Sequence, residues 1–94
     1  MKKSQDFTLI EGEFTPQDAK EVLINLYSSK LNFHVMKNFS SNERLGKDDE
    51  TSTKRIPELK KSMLQITEII EQAEKKKKKL IITAVVSIEV TNSK

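Results

Sequence analysis

Ninety-four residues with no cysteine, no tryptophan, two glycines and two prolines predict one small domain with a core of Leu, Ile and Val. The lack of cysteine excludes disulfides, thiolate catalysis and cysteine-ligated zinc, and so few turn residues argue against a many-turned all-β fold. The net charge of +3 is local: without the five consecutive lysines Lys75–Lys79, twelve basic residues face fourteen acidic ones, a balance of −2.

Met1, Lys2 and Lys3 open like a signal peptide, but Ser4, Gln5 and Asp6 follow, and no apolar run is long enough for a leader or a bilayer span. The expectation is a soluble cytoplasmic protein without a membrane partner. Asn38-Phe39-Ser40 matches a glycosylation acceptor and, without a secretion signal, reads as chance.

Phe7–Phe14 has strand propensity but imperfect alternation; Gly12 is placed to mark a bulge or a close backbone approach where the apolar side switches from Leu9 to Ile10 and Phe14. Thr15-Pro16-Gln17-Asp18 is a helix start: a capping hydroxyl, a proline where a missing amide costs least, and an acid at the positive end of the dipole. The helix is expected over about 16–38. Val22, Leu26, Phe33 and Met36 share one side with Ala19 and Leu23 beside them, while Ile24, Leu31 and Val35 lie nearly opposite. A rival reading ends the helix near Ser29 and makes Leu31, Phe33 and Val35 an alternating strand; the absence of Gly and Pro over 17–45 favours the helix.

Residues 39–53 read as a polar connection, with Ser40, Ser41 and Glu43 capping a short turn and Gly46 ending it. A second helix over about 54–78 is capped by Ser52 or Thr53, with Pro57 near its first turn. Ile56, Leu59, Met63, Ile66, Ile70 and Ala73 form a heptad-like seam, widened by Ile69, while Leu64 lies off it. Glu71–Lys75 and Glu74–Lys78 are i,i+4 pairs. Leu80, Ile82, Ala84, Val86, Ile88 and Val90 alternate as a strand over about 80–90, one face in the core and the other partly covered toward its beginning. Thr91–Lys94 should fray.

The order strand, helix, helix, strand predicts an α+β fold: a long antiparallel helical hairpin packed on an antiparallel two-stranded ribbon. Helices of about 24 residues and a strand of eleven each span roughly 36 Å. A two-stranded ribbon is marginal alone and leaves two edges. A homodimer, completing a four-stranded sheet or a helical bundle, answers that exposure, with Ile24, Leu31, Val35, Leu64, Ile82, Ala84, Val86 and Ile88 as the candidate self-association surface.

Lys75, Lys76, Lys77, Lys78 and Lys79 are candidate contacts for phosphates or an acidic protein, although a solvated helix end explains them more simply. Lysine lacks the bidentate geometry of arginine, and no aromatic residue is interleaved for stacking. A second basic group, Lys54, Arg55, Lys60 and Lys61, sits at the opposite end of the second helix. His34, the sole histidine, is expected to be structural, because no orienting acid or nucleophile is evident. Asp48, Asp49 and Glu50 lack the spacing of a calcium loop and read as an exposed acidic turn. Phe39, Arg44 and Leu45 have the composition of a binding patch, but Phe39 and Leu45 are expected to cap the hairpin core. No metal, cofactor or catalytic motif is present, so the leading expectation is a non-catalytic, self-associating protein-interaction module, an accessory or inhibitor protein. A sequence-nonspecific nucleic-acid-binding accessory protein comes second and an enzyme third.

Overall fold

The computed structural model describes residues 4–92. The fold is α+β: an antiparallel two-stranded ribbon packed against a two-helix hairpin, in the order β1 (Ser4–Phe14), α1 (Pro16–Leu45), α2 (Glu50–Lys75) and β2 (Leu80–Glu89). Residues 93 and 94, part of the tail expected to fray, lie outside the described range.

α1 starts as its sequence dictates. Thr15 is extended, its hydroxyl accepts from the Asp18 amide at 3.1 Å, and Pro16 opens the first turn. With no Gly or Pro to interrupt it, the helix continues for 30 residues, so Leu31, Phe33 and Val35 are helical. Gly46 ends it in the left-handed region at φ 73°, its amide donating to the Asn42 carbonyl at 3.0 Å.

The connection expected over 39–53 is therefore corrected to a turn of four residues, 46–49. Ser40, Ser41 and Glu43 lie inside α1 and do not cap a separate turn. The cap of α2 is Asp49, whose carboxylate accepts from the Ser52 amide at 2.9 Å, and not Ser52 or Thr53. A carboxylate suits that position as well as a hydroxyl does, and the dipole adds to it. Pro57 is consequently the eighth residue of α2, beyond its first turn. The helix ends at Lys75, earlier than the expected 78, because Lys77 turns into the left-handed region at φ 55°. Lys78 lies outside the helix, and among the described residues the ion pair within 4 Å is Arg55–Glu58 rather than the expected Glu–Lys pairs.

The seam read on α2 is the one that packs. Ile56, Leu59, Met63, Ile66, Ile70 and Ala73 are all buried or half-buried, and the series extends back one step to Ser52. Ile69 is exposed and does not widen it. On α1 the facing series is Ala19, Leu23, Tyr27, Leu31, His34, Asn38 and Ser41, spaced by three and four. This seam is apolar at its start and polar at its end. Leu26, Phe33 and Met36, read as one apolar side, are exposed.

β1 and β2 pair from Phe14↔Leu80 to Ser4↔Glu89, with an irregularity between Thr8 and Ile10. The bulge thus falls at Leu9 and not at Gly12, which stays in register opposite Ile82. Leu9 is left unpaired and exposed, and the bulge switches the strand so that Ile10 points inward and is buried. Leu80, Ile82 and Ala84 are half-buried on that inner face, whereas Phe7, Val86 and Ile88 further along it are exposed. The outer face is bare from its beginning: Ile81 is 82% exposed, against the expectation of partial cover there. The chain is flat and extended, 50 × 35 × 15 Å with a radius of gyration of 16.8 Å. A compact chain of this length would have a radius near 12 Å.

Candidate functional site

Two places concentrate features that packing alone does not use: the ribbon and the tip of the hairpin. Paired residues of an antiparallel ribbon point to the same side, so the register assigns the faces. The inner face holds Phe14, Gly12, Ile10, Phe7 and Gln5 opposite Leu80, Ile82, Ala84, Val86 and Ile88. The outer face sets Glu13, Glu11 and Asp6 of β1 opposite Ile81, Thr83 and Ser87 of β2, and the Ser87 hydroxyl donates to Asp6 Oδ1 at 2.6 Å. Charge is confined to β1 along most of the ribbon. β2 carries none from Leu80 to Ile88.

Of the candidate self-association residues, Ile24, Leu31, Ile82 and Ala84 are half-buried, while Val35, Leu64, Val86 and Ile88 are exposed. Leu31 and the 69%-exposed Leu64 line one shallow depression with Lys60, Met63 and Thr67. Val86 and Ile88 lie apart from these, on the ribbon. The structure therefore holds two separate apolar surfaces, one between the helices and one on the sheet.

The lysine run occupies the turn from α2 into β2, and all five side chains are exposed. Lys77, Lys78 and Lys79 border a depression that also includes Pro16, Gln17 and Glu74, which places them beside the start of α1. The other basic group, Lys54, Arg55, Lys60 and Lys61, stays in the first half of the 26-residue α2, about 20–30 Å from Lys75 at helical rise. The two groups do not merge into one patch on the chain.

At the hairpin tip, polar residues that read as an irregular loop are committed to closing the turn. Asn38 Oδ1 accepts from the Asp49 amide at 2.9 Å, the Ser41 hydroxyl donates to the Lys47 carbonyl at 2.7 Å, and the Asn42 side-chain amide reaches Asp48 and the Asn38 carbonyl. The Asp48 carboxylate is thereby occupied as a turn acceptor, and the Asp49 carboxylate is occupied by the Ser52 amide that it caps. No group of three metal-type side chains comes together among the described residues. Phe39 and Leu45 are exposed and do not cap the core as expected; Arg44 and Leu45 instead border a depression with Lys37, Ser40, Ser41 and Asp49.

One arrangement at the tip was not anticipated. His34 Nδ1 lies 2.8 Å from Ser52 Oγ, and Asp49 lies one bond further on through the Ser52 amide. Histidine, serine and aspartate together invite comparison with a hydrolytic triad, but the geometry differs. In a triad the serine meets Nε2 and the acid holds Nδ1. Here the serine meets Nδ1, the acid caps a helix, and Nε2 has no hydrogen-bond partner among the described residues. Ser52 is 0% exposed and His34 5%, so no substrate can reach the hydroxyl. The pair acts as a polar latch between α1 and α2.

The electrostatics suit a neutral latch. Burial first, then the positive charges of Lys30 and Arg55, hold the His34 pKa below its ordinary value; Lys37 adds to this and Asp49 opposes it. The Asp49 carboxyl is also lowered, chiefly by the hydrogen bonds from Ser52. Lys30 and Lys37 sit over the Phe33 ring at 4.7 and 5.7 Å from its centroid, and that ring meets His34 edge-on at 5.2 Å.

Comparison of the chain with protein-family models, curated proteins and solved structures finds no match.

Proposed function

We propose that the protein is a non-catalytic interaction module that works as a self-associated assembly, in the manner of a small accessory or inhibitor protein. One observation carries this reading. The chain exposes 7903 Å², whereas a compact monomer of 10.8 kDa exposes about 5,500 Å². The excess is larger than the roughly 800 Å² that each partner buries in a standard interface. Much of it is apolar: Phe7, Val86 and Ile88 on the ribbon and Phe33, Val35 and Leu64 on the helices are exposed. The buried apolar residues among those described are only Ile10, Ala19, Leu59 and Ile70. Light scattering at micromolar concentration tests the proposal: a species of twice the 10.8 kDa chain mass is expected, and a monomer alone would overturn it.

A second reading, sequence-nonspecific nucleic-acid contact through Lys75–Lys79, is supported by the exposure of all five lysines at the end of α2 and in the turn that follows it. It predicts a strongly salt-dependent gel shift that is lost on changing the five lysines to glutamine. A shift unaffected by those changes would remove the run from consideration.

A further inference from the structure

We propose that two copies of this chain join edge to edge through β2, antiparallel about a two-fold axis at Ala84, with Lys79 of each copy across from Glu89 of the other. The inference rests on the self-association reading above and adds the edge, the register and the residues in contact.

The choice of edge follows from charge and symmetry. Each strand of the ribbon has one free edge. β1 carries Asp6, Glu11 and Glu13, so joining two copies through β1 would gather like charges along one strand pair. Joining β1 of one copy to β2 of another is a head-to-tail contact, which leaves an edge at each end and propagates as a filament. β2 is the edge without charge over Leu80–Ile88, and β2 against β2 closes.

Register follows from the same two properties. In a two-fold antiparallel pair some residue faces its own copy, and residues opposite each other point to the same side. A strand over 80–89 leaves two centres with nearly full overlap, Ala84 and Val85. Centred on Val85, Glu89 would lie opposite the partner's Ile81, with no basic residue to meet it. Centred on Ala84, Glu89 lies opposite the partner's Lys79, the residue directly ahead of the strand. Charge complementarity selects Ala84.

That register also serves the exposed half of the inner face. Val86 and Ile88, bare on the single chain, come to lie beside the partner's Ile82 and Leu80, the positions that in each copy are half-buried next to its own hairpin. The result is one four-stranded sheet in the order β1-β2-β2-β1, with both hairpins on the same side.

Because the chain has no cysteine, each introduced thiol is a unique probe of the register. Under mild oxidation Ala84→Cys should give a disulfide-linked dimer. Ile82→Cys and Val86→Cys should each stay unlinked alone yet cross-link when the two variants are mixed. As a second, surface-only measure, Lys79→Glu and Glu89→Lys should each weaken dimerisation about threefold to tenfold, and the combined swap should restore it. A dimer that cross-links through Val35→Cys or Leu64→Cys and not through Ala84→Cys would overturn this geometry while leaving self-association intact. So would a dimer indifferent to both charge changes. A wild-type chain that is monomeric would remove both proposals together.

Discussion

His34 Nδ1 and Ser52 Oγ, 18 residues apart in sequence and 2.8 Å apart in space, tie the second half of α1 to the first turn of α2. Their bond sits at the polar end of a seam whose other end is apolar, so the hairpin is held by different physics at its two ends. At the base, Ala19 and Ile70 are buried; at the tip, a hydroxyl, an imidazole and an asparagine take their place.

Removing one partner of this latch should therefore hurt more than removing both. Ser52→Ala strands a buried imidazole whose Nε2 is already unpartnered, and should lower Tm by about 5 °C or more. The double change His34→Leu with Ser52→Ala leaves no orphaned polar atom and should recover most of that loss. Thermal melts of the two singles and the double complete the cycle. Equal additive losses would show that the pair does not act as a unit.

The latch also fixes how stability responds to acid. His34 has a folded-state pKa lowered from 6.5, so the unfolded chain takes up its proton first as the pH falls. Stability from keeping the ring neutral is complete above about pH 6.5 and is lost as the pH drops toward the lowered folded value. Asp49 has the same sign in a lower window: its contribution is present above its ordinary 3.8 and is lost below that. Melting temperature against pH should fall in two steps, and His34→Gln should erase the upper one only. An unchanged upper step in that variant would assign it elsewhere.

Pro57 stands in the eighth position of α2, exposed, where its missing amide leaves the Thr53 carbonyl without its helical donor. Pro57→Ala should raise the unfolding free energy by about 1–3 kcal/mol and increase helicity. Denaturant titration followed by circular dichroism measures both. A loss of stability would mean that the proline sets an alignment of α2 that the His34–Ser52 bond requires.

Two residues in the left-handed region make predictions of opposite sign. Gly46 ends α1 at φ 73° with nothing near the position a Cβ would take, so Gly46→Ala costs conformational strain alone, about 1 kcal/mol. Lys77 holds φ 55° with a side chain in place, and Lys77→Gly should gain about 0.5–1 kcal/mol. Urea midpoints of the two variants on either side of wild type would confirm that backbone conformation, and not the lysine's charge, governs the turn.

The order of elements, the hairpin and the pairing of the two strands were legible because their signals are local and redundant: a capped proline, a seam of six residues, a strict alternation. The helix boundaries at the tip were not. Asn38, Ser41, Asn42 and Asp48 carry the composition of a loop, yet they are polar because their side chains close a four-residue turn from within a helix and beside it. The latch could have been found by extending each seam: four residues back from Ile56 is Ser52, and three beyond Leu31 is His34. Apolar periodicity alone does not reveal it, because this seam changes from apolar to polar partway along. The exposure of Leu26, Phe33 and Met36 was illegible for a different reason, since spacing shows which residues share a side but not which side meets the neighbour.

The same ambiguity governs β2, where Ile81 and Ile82 are identical in type and adjacent in sequence yet sit in opposite environments. Ile81 is 82% exposed opposite Glu13, while Ile82 is half-buried opposite Gly12, with no side chain across from it to take its place. Ile81→Thr removes little buried surface, keeps a β-branched side chain in the strand and should shift stability by less than about 0.5 kcal/mol. Ile82→Ala removes three carbons from the patch that seats the ribbon beside the hairpin and should cost about 1–2 kcal/mol. Denaturant unfolding of the two variants at low concentration, where association contributes least, separates the faces. If Ile81→Thr proved the more damaging, the outer face would be the covered one, and the side of the sheet on which the hairpins gather would have to be reversed.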